Sequence, residues 1–231
     1  MSASKDIGLK NWNSGYLNRR HEKPVHGDWL EKYLPTLMRA RGPVLDLGCG
    51  AGGNSLLLSD KGCSPVCADF AIEALRSVRL RGGEMPCVLL DMRDGIPFKE
   101  ETFDFIVADL SLHYFTAETT CRIIDNIYET IAEGGTLLCR VNSMKDTNFG
   151  AGAGEEIEHH YYFMDMGKDK GTHKRFFDYD DILNFFKQWH EVACNENETM
   201  RRGVVKRVWE IACRKPASTT LDGIEKSLRK S

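Results

Sequence analysis

Residues 44–58, VLDLGCGAGGNSLLL, form an apolar run, a glycine-rich turn and a second apolar run. They constrain the fold most, because the same strand-then-helix rhythm continues after them. PVCAD, CVLLD, FDFIVADL and TLLCRVN are apolar runs of strand length. Between them lie helical patterns: residues 54–61, stopped by Gly62, then AIEALRSVRLRGG, then TAETTCRIIDNIYETIAEGG. The last carries Ile123, Ile124, Ile127, Tyr128 and Ile131 on one stripe. Such alternation predicts an α/β fold, a doubly wound, mostly parallel sheet with helices on both faces. HEVACNEN and VVKRVWEIAC have no helix between them and predict an antiparallel hairpin at the C-terminal sheet edge. GDWLEKYLPTLMRA has helical spacing broken at Pro35, and DYDDILNFFKQW starts a helix on an acidic cap. A chain of 231 residues suits one domain.

In an open parallel sheet, ligands sit off the carboxyl ends of the strands, where strand order reverses. The glycine turn faces that place, and two ligand types fit it. Gly48, Gly50 and Gly53 match the G-x-G-x-x-G of dinucleotide sites. Asp46, Gly48, Gly50 and Gly52 match the D-x-G-x-G-x-G of S-adenosylmethionine (AdoMet) sites. Asp69 ends the second strand, 69 − 46 = 23 positions after Asp46, and suits a ribose in either cofactor. Three features separate the two. Asp46 can hold the positive charge of AdoMet and would repel a pyrophosphate. Asp91 ends the third strand and can accept an adenine amino group. FDFIVADLSLHYF is a fourth strand ending in Asp109 and running into a polar and aromatic turn.

On VLDLGCGAGGNS, VCADF, LLDMRDGIPFKEETFDFIVADLSLHYF and IAEGGTLLCRVN, the chain resembles the class I AdoMet-dependent methyltransferases. The resemblance spans roughly residues 12–214, and GCGAGGNSLLL and NENETMRRGVVKRVWEIACRK are similar to the tellurite-resistance and thiopurine type. It implies a Rossmann-like seven-stranded sheet with its last strand antiparallel. It implies S-adenosyl-L-methionine as methyl donor, S-adenosyl-L-homocysteine as product, and no metal. By the same resemblance Asp46, Gly48, Cys49 and Gly50 line the methionine half. Asp69 holds the ribose and Phe70 flanks the adenine. Asp91 meets the adenine amino group, with the Met92 backbone nearby, and Asp109 and Leu110 sit beside the sulfonium. Trp12, Tyr16 and Arg20 belong to a segment, within residues 1–40, that folds over the cofactor; Arg20 or Arg19 pairs with its carboxylate end. The plainer alternative makes Trp12 and Tyr16 packing aromatics of an N-terminal helix. His113, after the fourth strand, is a candidate catalytic base or a structural histidine.

Residues 143–177 break the rhythm, being long and irregular yet aromatic, which predicts a lid-like insertion in a single domain over residues 1–214. Within it, Glu155, Glu156 and Glu158 are a solvated run or face a cationic acceptor. His159 and His160 are adjacent and on regular structure should diverge, which argues against a shared metal. Tyr161, Tyr162 and Phe163 pack the lid or cage a cation. Residues 215–231 form a polar tail in which Leu221, Ile224 and Leu228 allow a short amphipathic turn.

The eight cysteines stand singly, as buried small hydrophobes in a reducing compartment would; Cys63 and Cys67 lack a second ligand pair for zinc. A net charge of −3 gives no general pull toward nucleic acid or anionic membrane. Neither a signal-peptide core nor a membrane-length apolar run occurs, so a cytoplasmic protein is expected. The fourth strand ends ADLSLHYF rather than in the N/D-P-P-Y of amino-methylating DNA enzymes. The expected activity is therefore direct in-line methyl transfer to a small-molecule acceptor, with nucleic acid disfavoured as a partner. Three alternatives stay open: a protein or tRNA acceptor, suggested by the basic patch Lys168, Lys170, Lys174 and Arg175; a non-catalytic AdoMet-binding protein; and, least favoured at this length, an NAD-dependent oxidoreductase.

Overall fold

The computed structural model describes residues 3–19, 22, 24, 27–165, 170–201 and 203–217. Arg20, Lys168, Leu221, Ile224 and Leu228 lie outside them. The helices are α1 (Ala3–Asn18), α2 (Leu34–Leu37), α3 (Gly53–Asp60), α4 (Ile72–Gly82), α5 (Ala117–Thr130) and α6 (Tyr179–Phe185). The strands are β1 (Val44–Leu47), β2 (Pro65–Asp69), β3 (Cys87–Leu89), β4 (Phe103–Asp109), β5 (Ile131–Asn142), β6 (Glu155–Glu158), β7 (Tyr161–Met164), β8 (Thr172–Arg175), β9 (Glu191–Arg201) and β10 (Val204–Arg214).

Seven strands form the main sheet in the order β3-β2-β1-β4-β5-β10-β9. The first five run parallel, and β10 is antiparallel to both β5 and β9. The doubly wound, seven-stranded architecture is thus the observed one. The C-terminal pair is a hairpin, but only β9 is an edge: β10 lies between β5 and β9, with Val208, Ile211 and Cys213 buried.

Strand parity sorts the core. Leu45, Leu47, Ile106, Ala108, Leu137, Cys139 and Val141 meet Ile123 and Ile127 of α5 and Ile182 of α6. The alternate positions Val44, Val107 and Leu138 meet Leu57 and Leu58 of α3, together with Trp29, Leu30 and Leu37. Pro35 stands in the first turn of α2, after a 3-10 turn over Asp28–Tyr33, where its missing N–H costs nothing. Helix α4 covers β2, and α1 packs on α4. Helix α5 ends earlier than its apolar stripe, because the backbone turns back at residues 134–135 to begin the long part of β5. A Cβ on Gly135 would lie 2.8 Å from the Ala132 carbonyl oxygen, so only glycine fits there.

Residues 143–177 are not irregular throughout. They hold a second, antiparallel sheet in the order β6-β7-β8, with Tyr162, Met164 and Phe176 packed in a cluster of their own. Among the described residues no helix is long and apolar enough to cross a membrane.

Candidate functional site

Strand order reverses between β1 and β4, and a cavity of about 910 Å³ opens at the carboxyl ends of the strands there. The glycine turn forms its floor. Gly48 and Gly50 have φ of 75° and 56°, a region open chiefly to glycine. The Gly48 and Cys49 N–H groups donate to the Ala68 carbonyl at 2.8 and 3.0 Å. The Gly50 N–H donates to Asp69 Oδ2 at 2.9 Å, and the Ala71 N–H to Asp69 Oδ1 at 2.8 Å. Burial pushes the Asp69 carboxyl above its ordinary range, opposed by these N–H donors. Asp69 and Phe70 both line the cavity. A Cβ on Gly50 would come within 2.8 Å of the Tyr16 hydroxyl, so α1 presses directly on the turn.

Trp12, Tyr16 and Arg19 of α1 line the cavity. Trp12 stacks on Tyr16 at 5.8 Å and meets Tyr114 edge-on at 5.4 Å. The helical and the covering readings of these aromatics therefore describe the same segment. Burial, then the Asp69 charge, holds the Tyr16 phenol well above its ordinary value, so it keeps its proton.

Parity places one alternate residue from each strand on the α3 side of the sheet. At the end of β4 that residue is Asp109. Arg140 of β5 pairs with it at both oxygens, Nε at 2.7 Å and Nη2 at 3.0 Å, and Asn54 Nδ2 donates to it at 3.1 Å. The guanidinium also lies 4.8 Å over the Trp29 ring. Leu110, with φ 54°, donates its N–H to the Arg140 carbonyl at 3.0 Å. Asp109, Leu110 and Arg140 all line the cavity. Sequence reasoning missed Arg140, although it is the lone charge in the apolar run TLLCRVN.

Three expectations need correction. Asp46 is not among the cavity-lining residues. It shares the parity of Val44, which points it under α3, where it accepts from Ser55 Oγ at 2.5 Å with 1% of its surface exposed. Burial raises its pKa to about 8, so at neutral pH it is mostly a protonated, uncharged acid. Asp91 does not end β3, which stops at Leu89. It caps the 3-10 turn Met92–Asp94, and its carboxylate accepts from Arg93 Nε at 2.9 Å and Nη2 at 2.7 Å. Met92 lines the cavity beside it. His113 is also absent from the lining. It is 2% exposed, and burial with the charges of Lys206, Lys174 and Arg201 holds it neutral, well below 6.5. Its ring instead backs Tyr114 at 4.3 Å, which does line the cavity.

Asp46 yields a pH prediction. Its folded pKa lies above the ordinary carboxylate value, so its contribution to stability is present at low pH and fades as pH rises through about 8. Asp46→Asn keeps an acceptor for Ser55 and cannot titrate. The stability advantage of Asp46→Asn over the natural chain should grow between pH 5 and 8, by about 1.4 kcal/mol per pH unit. Denaturant midpoints at three pH values check this; a pH-independent difference would show that Asp46 is ionised in the fold.

Two further walls close the cavity, the first in the 143–177 segment expected as a lid and the second unread in the sequence. Tyr161, Phe163, Thr172 and His173 of the small sheet form one. Thr199, Met200, Arg201 and Lys206 of the β9–β10 hairpin form the other. Lys206 is buried and donates to Asp146 Oδ2 at 2.8 Å and Asn142 Oδ1 at 2.7 Å; burial lowers its pKa to about 8.

Comparison with known proteins adds three findings. A family profile described as a methyltransferase domain matches residues 44–135. Malonyl-(acyl-carrier protein) O-methyltransferase of Enterobacter lignolyticus is 29% identical over 110 residues, covering 48% of this chain and 42% of its own length. A tRNA N(3)-methylcytidine methyltransferase of Drosophila melanogaster is 29% identical over 202 residues, 78% of this chain and 60% of its own length. The chain thus spans about half the length of these curated relatives. In fold it matches the 1,6-didemethyltoxoflavin-N1-methyltransferase of Burkholderia thailandensis, solved with its substrate and S-adenosylhomocysteine. The TM-score is 0.63 at 13% identity, over 94% of this chain and 92% of that one.

Proposed function

We propose that the chain is a class I AdoMet-dependent methyltransferase and that it transfers a methyl group from AdoMet to an acceptor held in the 910 Å³ cavity. One observation carries the choice of cofactor. The Gly50 N–H is turned toward Asp69, not outward to a phosphate, and Asp109 stands beside the same floor. That suits a cationic, phosphate-free ligand.

The residues fit AdoMet as follows. Asp69 keeps a lone pair on each oxygen for the ribose hydroxyls. Phe70 and Met92 flank the adenine, and Asp91 stands beside its amino group. The Gly48–Gly50 floor, with Cys49, takes the methionine half, and Leu110 and Asp109 lie by the sulfonium. Arg19 is the cation for its carboxylate end, and Trp12 and Tyr16 cover it. Residues 1–214 act as one domain, with α1 as the cap and 143–177 as a wall.

When bound, AdoMet supplies a methyl group on a good leaving group. The chain's task is then to align the acceptor and exclude water. His113 does not line the cavity and is not placed to take a proton from the acceptor; an acceptor whose nucleophile is already available at neutral pH, such as an amine, a ring nitrogen or a thiolate, needs no base. Tyr114, Phe115, Tyr161 and Phe163 favour a small planar acceptor. A tRNA base is the second reading, favoured by the relative that covers 78% of the chain and by Arg201 and Lys206 at the cavity.

Calorimetric titration of the purified chain tests the cofactor. AdoMet and S-adenosylhomocysteine should bind at micromolar levels and NAD should not; binding of NAD alone overturns the proposal. Methyl-labelled AdoMet, offered with either bulk tRNA or a low-mass extract, then separates the two acceptors.

A further inference from the structure

Away from the cavity, we propose that His159, His160, Asp178 and Asp181 form a zinc-type transition-metal site. Strands β6 and β7 are joined by a two-residue turn, with Glu158 paired to Tyr161 and His159 and His160 at the tip. Adjacent side chains on extended backbone diverge, but these do not. His160 has φ 58°, and the two imidazoles stack at 3.7 Å and 28°. A left-handed non-glycine residue is strained backbone, which concentrates at ligand sites.

The two rings stand over the start of α6. Asp178 and Asp181 form a capping box there, Asp178 Oδ1 accepting from the Asp181 N–H at 2.8 Å and Asp181 Oδ2 from the Asp178 N–H at 3.1 Å. His160 Nδ1 lies 2.7 Å from Asp181 Oδ2, and His159 Nε2 lies 3.9 Å from Asp181 Oδ1. One ligand atom from each of the four residues lies within 4.8 Å of all the others. A tetrahedral zinc with bonds of about 2.1 Å needs ligand atoms roughly 3.4 Å apart. Closing that gap takes movement mainly of His159, which is 73% exposed. Two imidazoles with two carboxylates select zinc, cobalt or nickel over magnesium or calcium.

A plain structural hydrogen bond between His160 and Asp181 explains those two residues. It does not explain why His159, exposed and free to swing into solvent, stacks toward the same carboxylate. Arg175 donates to the His159 carbonyl at 2.8 Å, and its charge is offset by its ion pair with Glu158. The surroundings support the turn, since the His160 N–H donates to Glu156 Oε1 at 2.8 Å and the His160 carbonyl accepts from the Phe176 N–H at 2.8 Å. A metal here would tie the small sheet to α6. Tyr161, the next residue, lines the cavity, so the ion would brace the acceptor wall.

The test uses the full chain, freed of metal and titrated with Co²⁺. We expect one equivalent to bind with the visible ligand-field band of a tetrahedral nitrogen and oxygen site, and Zn²⁺ to displace it. His159→Ala and Asp178→Asn should each weaken binding by more than about 100-fold, beyond what is lost when a group that only hydrogen-bonds to a ligand is removed. His159 is exposed and asparagine still caps a helix, so the melting temperatures of the metal-free variants should match the natural chain. Absence of the band, its persistence in His159→Ala, or a thiolate-to-cobalt charge-transfer band pointing to the cysteines would each overturn the site.

Discussion

Replacing Asp69 with alanine should weaken AdoMet binding by about 100-fold and leave most of the stability in place. Two effects act in the same direction on binding. The proposed hydrogen bonds from the two ribose hydroxyls to the carboxylate are lost, and bonds to a charged group contribute about 1.5 kcal/mol each at the low end. The Gly50 and Ala71 N–H groups also lose their acceptor, so the floor of the site loses its order. Stability suffers less, because burial already disfavours the Asp69 charge in the fold and its removal relieves that cost. Asp69→Asn separates the contributions: its amide oxygen still accepts one backbone N–H, while its NH₂ opposes the other. Its affinity should fall between those of the natural chain and Asp69→Ala. Titration calorimetry beside thermal melts makes the comparison, and an Asp69→Ala affinity within threefold of the natural chain would remove Asp69 from the proposed site.

The parts of the molecule legible in the sequence are those where local pattern and tertiary role coincide. Pro65–Asp69 and Phe103–Asp109 are apolar runs ended by an acid, and the structure has strands with those bounds. The glycine turn is readable because Gly48 and Gly50 must hold φ values that other residues avoid. What stayed hidden depends on direction or on distant partners. Asp46 carried the right residue type, but strand parity turns it beneath α3; Val44, two residues earlier, held the clue. The partner of Asp109, Arg140, is 31 residues away. The small sheet was obscured because its first strand, EEIE, is nearly all charged and its turn is His159-His160. The left-handed conformation of His160 has no sequence signal, since it comes from the turn closing against α6. The α1 cover was expected as a segment, with an N-terminal helix only as the plainer alternative, because its apolar residues follow no stripe.

Arg140 holds the two halves of the site together, and its removal should have the largest effect on the fold of any single change here. The ion pair with Asp109 is mostly buried, 7% and 18% exposed on the two sides. Among the described residues, Arg140→Met leaves Asp109 with Asn54 alone as a side-chain hydrogen-bond partner; it also strips the cation from the Trp29 ring and strands a carboxylate at the cavity floor. Breaking such a pair from one side costs about 3–5 kcal/mol. Adding Asp109→Asn to Arg140→Met removes the stranded charge, and the double variant should regain most of that loss. AdoMet binding should not return with it, because the double variant still lacks the Asp109 carboxylate proposed to lie by the sulfonium; the Leu110 N–H keeps its acceptor, the main-chain carbonyl at position 140. Denaturant midpoints of both single variants and the double variant give the coupling energy directly. Strictly additive losses would mean that the two side chains act independently. Recovery of affinity along with stability would mean that the pair supports the fold alone and that the charge at the cavity floor plays no part in holding the cofactor.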